Sequence, residues 1–196
     1  MASAGPNSPS TLVSDSTIGT EVWANPTNAS ASDNSYATAS LAINEISEYL
    51  MVTGFGFSLP SDASVTGIYA EVERNAFAGA YQPFVKDYSV RLVKGGTIQG
   101  SDYADIVIYW PASDTYKGYG GSSNLWGLTW EYTDINASNF GIVVSCKEMN
   151  VRVTTAQIDH IRITVDFSSL SVAGIDTVIL ERKTKGVFRG IKRGVN

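Results

Sequence analysis

The sequence predicts an all-β protein, an antiparallel jelly-roll-like β-sandwich with an extended N-terminal arm and a C-terminal tail. Several segments alternate apolar and polar residues with a period of two, and turns rich in Gly, Pro, Asn and Ser separate them. No window has a convincing helical period. Only 17% of the 196 residues are charged while 43% are hydrophobic, and this composition argues against a helical bundle.

Six segments carry strand patterns. In 65–74, Ile68, Ala70 and Val72 share one face, which is typical of a half-buried antiparallel strand. In 49–57 we expect the odd-numbered side chains Met51, Phe55 and Phe57 to share a face. Farther along the chain, Gly95 and Gly96 predict a tight hairpin. The clearest segment is 157–167, where His160 is expected to point outward. Its inward residues are expected to be Ile161, Ile163, Val165 and Phe167. The other predicted strands are 34–41, 87–93 and 140–146.

The predicted domain organisation has three parts. Residues 1–20 are rich in Ser, Pro and Gly and predict a flexible arm, while 21–168 form the sandwich. Residues 169–196 are interpreted as a linker followed by a basic anchoring tail. From Gly174 onward there are six basic and two acidic residues, a net charge of +4, which leaves eight basic and seventeen acidic residues, or −9, for the rest.

The basic tail is the first candidate for partner binding. It is too short to fold alone, but it can dock on another chain or add a strand to that chain's sheet. Nucleic-acid binding is a weaker interpretation, since docking on an acidic protein surface explains the cations equally well. The candidate anchor residues are Arg182, Lys183, Lys185, Phe188, Arg189, Ile191, Lys192 and Arg193.

A central segment rich in aromatic residues and glycine is the second candidate. It predicts a long exposed loop, and its rings, next to Asp and Asn, have the composition of a glycan-binding surface. The alternative is that they are core or protein-interface residues, where Trp and Tyr are also favoured. The candidate aromatics are Tyr116, Tyr119, Trp126 and Trp130.

Catalytic and metal chemistry find little support in the sequence. Cys146 is the only cysteine and is expected to be a small buried residue, and His160 is the only histidine. The carboxylate pairs Asp102/Asp105 and Glu71/Glu73 have the residue types of a glycoside hydrolase, but nothing beyond their presence indicates that chemistry. Carboxylates on the outward face of a strand are usually solvated. A structural zinc site needs about four Cys or His ligands. We therefore expect no enzyme, no cofactor and no metal, although loop carboxylates leave calcium open.

No targeting signal is recognisable in the sequence. The first ten residues lack the basic and apolar regions of a signal peptide, and no run of about eighteen apolar residues predicts a membrane span. We therefore expect assembly into a particle inside a cell, without a membrane partner.

Four segments together resemble a β-sandwich domain of tailed-bacteriophage virion proteins. They are WANPTNASASDNSYATA at 23–39, YLMVTGFGFSLP at 49–60, VTGIYAEVER at 65–74 and IDHIRITVDF at 158–167. The resemblance covers residues 21–167, and the order of the four segments carries it.

The resemblance implies a structural, non-enzymatic virion component such as a head decoration, fibre, neck or tail-surface protein. The implied partners are other capsid, neck or tail proteins, and the implied location is a virion assembled in the host cytoplasm. A homo-oligomer is expected, with a trimer as the first expectation, because avidity multiplies weak contacts. The alternative function is a carbohydrate-binding module that recognises host surface glycans through the aromatic segment.

Overall fold

Ten β-strands form two antiparallel five-stranded sheets in the computed structural model, which describes residues 1–79, 82–150 and 152–169. The first sheet contains β1 (Ala2–Asn7), β3 (Ala37–Leu41), β5 (Ser64–Phe77), β8 (Thr115–Gly121) and β10 (Thr154–Ser168). The second contains β2 (Thr11–Asp15), β4 (Tyr49–Thr53), β6 (Val85–Lys94), β7 (Thr97–Gln99) and β9 (Gly141–Glu148). A 3-10 helix, Pro26–Ala29, and a helix α1, Tyr132–Asn136, lie in the connections.

The predicted antiparallel all-β sandwich is confirmed. The first sheet has the order β1-β10-β5-β8, with β3 also paired to β10, and the second has the order β2-β4-β9-β6-β7. The inward faces of both sheets contribute to one large apolar core. The long strand β10 is central to the first sheet, since it pairs with β5 along nearly its whole length and with β3 and β1 on its other edge.

The period-two patterns place most core residues as predicted. Ile68, Ala70 and Val72 on β5 are completely buried, as are the inward isoleucines of β10. The prediction that the odd-numbered residues of 49–57 share a face is wrong for the part that forms β4, Tyr49–Thr53. There, Leu50 and Val52 point into the core, while Met51 packs on the outer face of the second sheet. The strand ends at Thr53, so the period no longer holds at the two phenylalanines that follow.

The hairpin between β6 and β7 forms where it was predicted. Lys94 pairs with Thr97 across Gly95 and Gly96, whose φ angles are 60° and 78°. Both central positions of a type I′ turn need positive φ, so two consecutive glycines suit it.

The first twenty residues are not a flexible arm, and this prediction is wrong. β1 pairs with the end of β10, and β2 pairs with β4 at the edge of the second sheet. Neither strand has an apolar alternation, because edge strands are held by backbone hydrogen bonds and bury little side-chain surface. Such strands leave almost no signal in a sequence pattern.

The aromatic segment also contains a strand that its composition concealed. β8 pairs with β5 over seven residues, from Ile68↔Gly121 to Arg74↔Thr115. At Gly118 a Cβ atom would lie 2.2 Å from the Tyr69 hydroxyl oxygen, so glycine allows that ring to lie across the strand. Glycine in a strand often marks such close approach.

The predicted linker and tail fall almost entirely beyond the described residues. The structure describes this part of the chain only to Ser169, so the assignment of residues 170–196 as linker and anchor stays a prediction. The same holds for the eight candidate anchor residues from Arg182 to Arg193.

The two ends of the sandwich are distinct. The connections β3–β4, β5–β6, β7–β8 and β9–β10 meet at one end, which we call the loop end; its described residues are 42–48, 77–79, 82–84, 100–114, 149–150 and 152–153. The opposite end, called the hairpin end, holds the β6–β7 turn, α1 and the end of β10 at Ser168. The described part of the chain therefore ends at the hairpin end, at Ser169.

Candidate functional site

The four connections of the loop end are tied to one another. Asn44 N–H donates to the Glu148 carbonyl at 3.0 Å, and Met149 N–H donates to the Phe84 carbonyl at 3.1 Å. The rings of Phe84 and Tyr109 then meet edge to face, with centroids 5.1 Å apart. Each connection thus contacts the next, and together they form one continuous surface.

That surface is strongly apolar. Eight large hydrophobic side chains of the loop end are between 41% and 71% exposed: Ile43, Phe77, Ile106, Val107, Ile108, Tyr109, Met149 and Val153. Single exposed hydrophobic residues are normal on a protein surface, but a cluster of them usually marks an interaction site. The loop end is therefore our candidate functional site.

The most exposed part of the site, residues 106–109, is held at both ends by one buried carboxylate. The Asp105 N–H donates to Asp87 Oδ2 at 2.8 Å, and Trp110 Nε1 donates to Asp87 Oδ1 at 2.8 Å. Trp110 is 1% exposed, and its own N–H donates to the Val85 carbonyl at 2.8 Å. The four apolar residues between these anchors are therefore presented in a defined conformation.

The Asp105 side chain shapes the turn itself. Its Oδ1 accepts the N–H groups of Val107 and Ile108, at 3.1 and 3.0 Å, in an Asx-type turn. Its Oδ2 accepts Lys117 Nζ at 2.6 Å. The hydrogen bond from Lys117, followed by that from the Ile108 N–H, lowers the pKa of Asp105 to about 2, so the turn keeps its charged acceptor at neutral pH.

Asp87, which anchors residues 106–109, is itself held by a buried ion pair. Arg74 on β5 and Asp87 on β6 form a salt bridge across the two sheets, and both are 2% exposed. The Arg74 guanidinium lies 4.7 Å from the Trp110 ring centroid, and the Tyr119 hydroxyl donates to Asp87 Oδ2 at 2.9 Å. Burial lowers the pKa of Arg74 and raises that of Tyr119. This network places charged and polar groups inside a mainly apolar core.

Glu148 adds a second buried acid at the loop end. It is fully buried, and its Oε1 accepts the N–H groups of Met149 and Asn150 at 3.0 and 2.7 Å. Its other oxygen, Oε2, has no hydrogen-bond partner among the described residues. The carboxylate therefore fixes the start of the β9–β10 connection.

The four aromatic residues predicted as a glycan or interface surface are mostly part of the core. Tyr119, Trp126 and Trp130 are 3%, 0% and 8% exposed. Trp126 Nε1 donates to the Ile68 carbonyl at 3.0 Å. A buried ring has no free face on which a sugar could stack, so the glycan interpretation of these three residues is wrong and the core interpretation is correct.

Tyr116, the fourth of these residues, is half-buried on the outer face of the first sheet. The Arg162 guanidinium covers its ring at 4.1 Å from the centroid, and Arg162 also forms a bidentate pair with Glu71 at 2.8 and 3.0 Å. Glu71 therefore has a structural partner, which accounts for one member of the carboxylate pair singled out in the sequence.

His160 is not exposed, contrary to the sequence-based expectation. It is 8% exposed, because Ser8 and Tyr116 cover it where a bulge interrupts β10. Ser8 Oγ lies 2.8 Å from Nε2, and the Tyr116 hydroxyl lies 2.8 Å from Nδ1. A neutral imidazole donates through one nitrogen and accepts through the other, which two hydroxyl partners can satisfy. Burial, and then the charge of Arg162, lower the pKa of His160 and favour that neutral form.

Cys146 behaves as a core residue, as predicted. It is fully buried, and burial raises the pKa of its thiol to about 12, so the reactive thiolate is essentially absent at neutral pH. In the carboxylate pair Asp102/Asp105, Asp102 accepts the Val90 N–H at 2.8 Å and the Ser89 hydroxyl at 2.6 Å. Both acids of that pair thus hold the connection in place.

No protein-family model, curated protein or solved structure matches this chain. Within 1–79, 82–150 and 152–169, no three His, Cys, Asp or Glu side chains lie together in a way that would hold a metal ion. Over the same residues, no helix is long and apolar enough to cross a bilayer. The interpretation of the site therefore depends on its own geometry.

Part of the candidate site lies in the aromatic segment that the sequence singled out, but its residues differ. The predicted rings were Tyr116, Tyr119, Trp126 and Trp130, whereas the exposed residues include the aliphatic run 106–108. A signal was present, since three consecutive large aliphatic residues directly after Asp105 do not alternate as a strand in this sheet would. The anchoring by Asp87 was not detectable, because it joins residues 18 to 23 positions apart.

Proposed function

We propose that this chain is a non-enzymatic structural protein of a bacteriophage virion, and that its loop end is a contact surface for other virion proteins. One observation carries the proposal: eight exposed apolar side chains share one end of the sandwich, and the most exposed of them are held rigidly by Asp87. The resemblance of residues 21–167 to virion sandwich domains supports the choice of particle.

Preorganisation is what makes this surface suitable for binding. A flexible apolar loop would lose conformational entropy on association, whereas a loop that is already fixed avoids much of that cost. The burial of exposed aliphatic side chains then contributes roughly 25 cal/mol per Å² of apolar surface removed from water. A structural subunit that must join its neighbours in a single orientation benefits from both effects.

The direction of the chain fits a subunit that is anchored at one end. The described chain ends with Ser169 at the hairpin end, while the apolar surface lies at the loop end. We propose that the basic tail attaches the subunit and the loop end makes a second contact.

The strand orders β3-β10-β5-β8 and β4-β9-β6-β7 are those of the two sheets of a jelly roll. They support the proposal that the sandwich is a jelly roll.

Particle incorporation tests this proposal. A chain carrying Val107→Asp and Ile108→Asp places two charges on the contact surface, and a chain ending at Glu181 lacks the basic tail. We expect both to fold and both to be depleted from purified particles relative to the unaltered chain. Val13→Asp, at an exposed position in the middle of β2, is the matched control and should be incorporated normally. Normal incorporation of the loop variant would contradict the proposal.

A further inference from the structure

We propose that the loop end of one copy binds the C-terminal segment 182–196 of a second copy, so that copies join head to tail. This inference rests on the proposed function and names the partner of the loop end. The segment would lie along the free edge of β8, next to residues 103–109.

The free edge of β8 is the first observation that supports this contact. Among the described strands, β8 pairs only with β5, so its other edge presents backbone N–H and C=O groups. An extended peptide adds to such an edge through main-chain hydrogen bonds, and its side chains enter neighbouring pockets.

Two cavities lie beside this edge and can receive side chains. One, of about 440 Å³, lies between β8 and the loop, and its lining includes Asp105, Val107 and Gly118. The other, of about 240 Å³, lies on the far side of the loop and its lining includes Ile108 and Tyr109. Together they place apolar walls next to an open strand edge, while Lys117, which lines both cavities, pairs with the Asp105 carboxylate.

The chemistry of the C-terminal segment complements this surface. It alternates cations with large apolar residues that are separated by glycines, and the apolar residues are Val187, Phe188, Ile191 and Val195. Residues 174–196 carry a net charge of +4, while the rest of the chain carries −9. A neighbouring copy therefore presents an oppositely charged body with an apolar docking site, and complementary charge speeds association and fixes orientation.

The length of the connection favours a second copy over the same chain. β10 has 15 residues and spans about 50 Å from the loop end to the hairpin end. The twelve residues 170–181 that precede the segment would span at most about 43 Å if fully extended. The segment therefore cannot begin at its own loop end. The loop end of a neighbour imposes no such restriction.

Mixing two complementary variants tests the head-to-tail contact. The loop variant carries Val107→Asp and Ile108→Asp, and the tail variant carries Phe188→Asp and Ile191→Asp, each in the full-length chain. Light scattering and sedimentation velocity should show concentration-dependent oligomers for the unaltered chain and monomers for each variant alone. A mixture should give a 1:1 dimer, because it contains one intact loop end and one intact tail. Each variant should weaken self-association about thirtyfold or more.

Three results would overturn the inference. A tail variant that still self-associates would indicate a contact between two loop ends, and an unaltered chain that stays monomeric up to high concentration would indicate docking within one chain. A mixture without heterodimers would show that the two surfaces do not bind each other. Thermal unfolding of each variant establishes that it is folded, and Val107→Ser with Ile108→Ser replaces the charged pair if folding is impaired.

Particle incorporation tests the proposed function separately from the head-to-tail inference. If the mixture fails to form a dimer but the loop variant is still excluded from particles, the loop end binds a different virion protein and only the head-to-tail inference fails. If the loop variant is incorporated normally, the proposed function fails, whatever the mixture shows.

Discussion

The two ends of this sandwich are built in opposite ways. At the hairpin end, Phe55, Phe57, Phe140 and Trp130 fill the core with ring centroids 5.4 to 6.3 Å apart, and the surface there is rich in Ser, Asn and Gly. At the loop end, the core contains the Arg74–Asp87 ion pair and the buried Glu148, and the surface is apolar.

This difference separates a stabilising end from the end that we propose binds partners. Aromatic packing at the hairpin end lowers the free energy of the folded state directly. A buried ion pair adds little net stability, because the loss of hydration offsets the attraction between its charges. We therefore interpret the Arg74–Asp87 pair as a device that orients the exposed loop. Residues 106–109 expose apolar surface to water, which is useful only if a partner covers it.

The largest effect is expected for Asp87→Asn, which breaks the polar network of the loop end. The buried Arg74 charge would lose its counter-ion, at a cost of about 3–5 kcal/mol in the free energy of unfolding. Urea denaturation measures this loss. The additional change Arg74→Met should restore most of it, because the uncompensated charge is then removed.

Glu71→Gln provides the matched control, because it breaks the partly exposed pair with Arg162 on the outer face of the first sheet. Ion pairs of that kind contribute about 0–1 kcal/mol. Equal losses for Asp87→Asn and Glu71→Gln would contradict our description of the network.

A similarly large effect is expected at the hairpin end for Phe140→Ala. This change removes a completely buried ring that contacts three other aromatic rings, and such truncations cost about 3–5 kcal/mol. Phe77→Ala makes the same change at the loop end, where the side chain is 60% exposed, and should alter stability by about 0.5 kcal/mol or less. Denaturation of the two variants sharpens the comparison, and equal losses would show that it is wrong.

A smaller effect is expected from the titration of His160. Its pKa is lowered in the folded protein by burial and by Arg162, so folding favours the neutral imidazole. Its contribution to stability is therefore present above the unfolded pKa of about 6.5 and is lost as the pH falls below that value. Glu71, Glu73 and Asp159 oppose this shift without reversing it.

The measurement is the free energy of unfolding at pH 7 and pH 5. It should fall more steeply between these values in the unaltered chain than in His160→Gln, which keeps hydrogen-bonding groups but does not titrate. Identical pH dependence in the two proteins would show that the titration of His160 does not affect the free energy of unfolding.

Much of the sandwich was readable from the sequence, and the reason is physical. Strands with one buried face, such as β5 and β10, must alternate apolar and polar residues, and the predicted segments 65–74 and 157–167 carry that signal. β1 and β2 lie at sheet edges and β8 is rich in glycine, so backbone hydrogen bonds form them with little contribution from side-chain patterns.

The residues of the candidate functional site were harder to predict from the sequence. The burial of Trp126 and Trp130 depends on tertiary packing, and composition cannot distinguish a core tryptophan from one that binds a ligand. The anchoring of residues 106–109 likewise depends on Asp87, a residue of another strand. A sequence can show that a segment is unusual, but the contacts that fix its conformation come from the fold.

The most direct test of the central claim is a comparison of Val107→Asp with Val13→Asp. Both change an exposed valine to aspartate, one on the loop end and one in the middle of β2. For Val107→Asp we predict a free energy of unfolding within about 0.5 kcal/mol of the unaltered chain, together with a self-association at least about tenfold weaker by light scattering. For Val13→Asp we predict unchanged association. If both variants associate as the unaltered chain does, copies of this chain do not bind one another through the loop end.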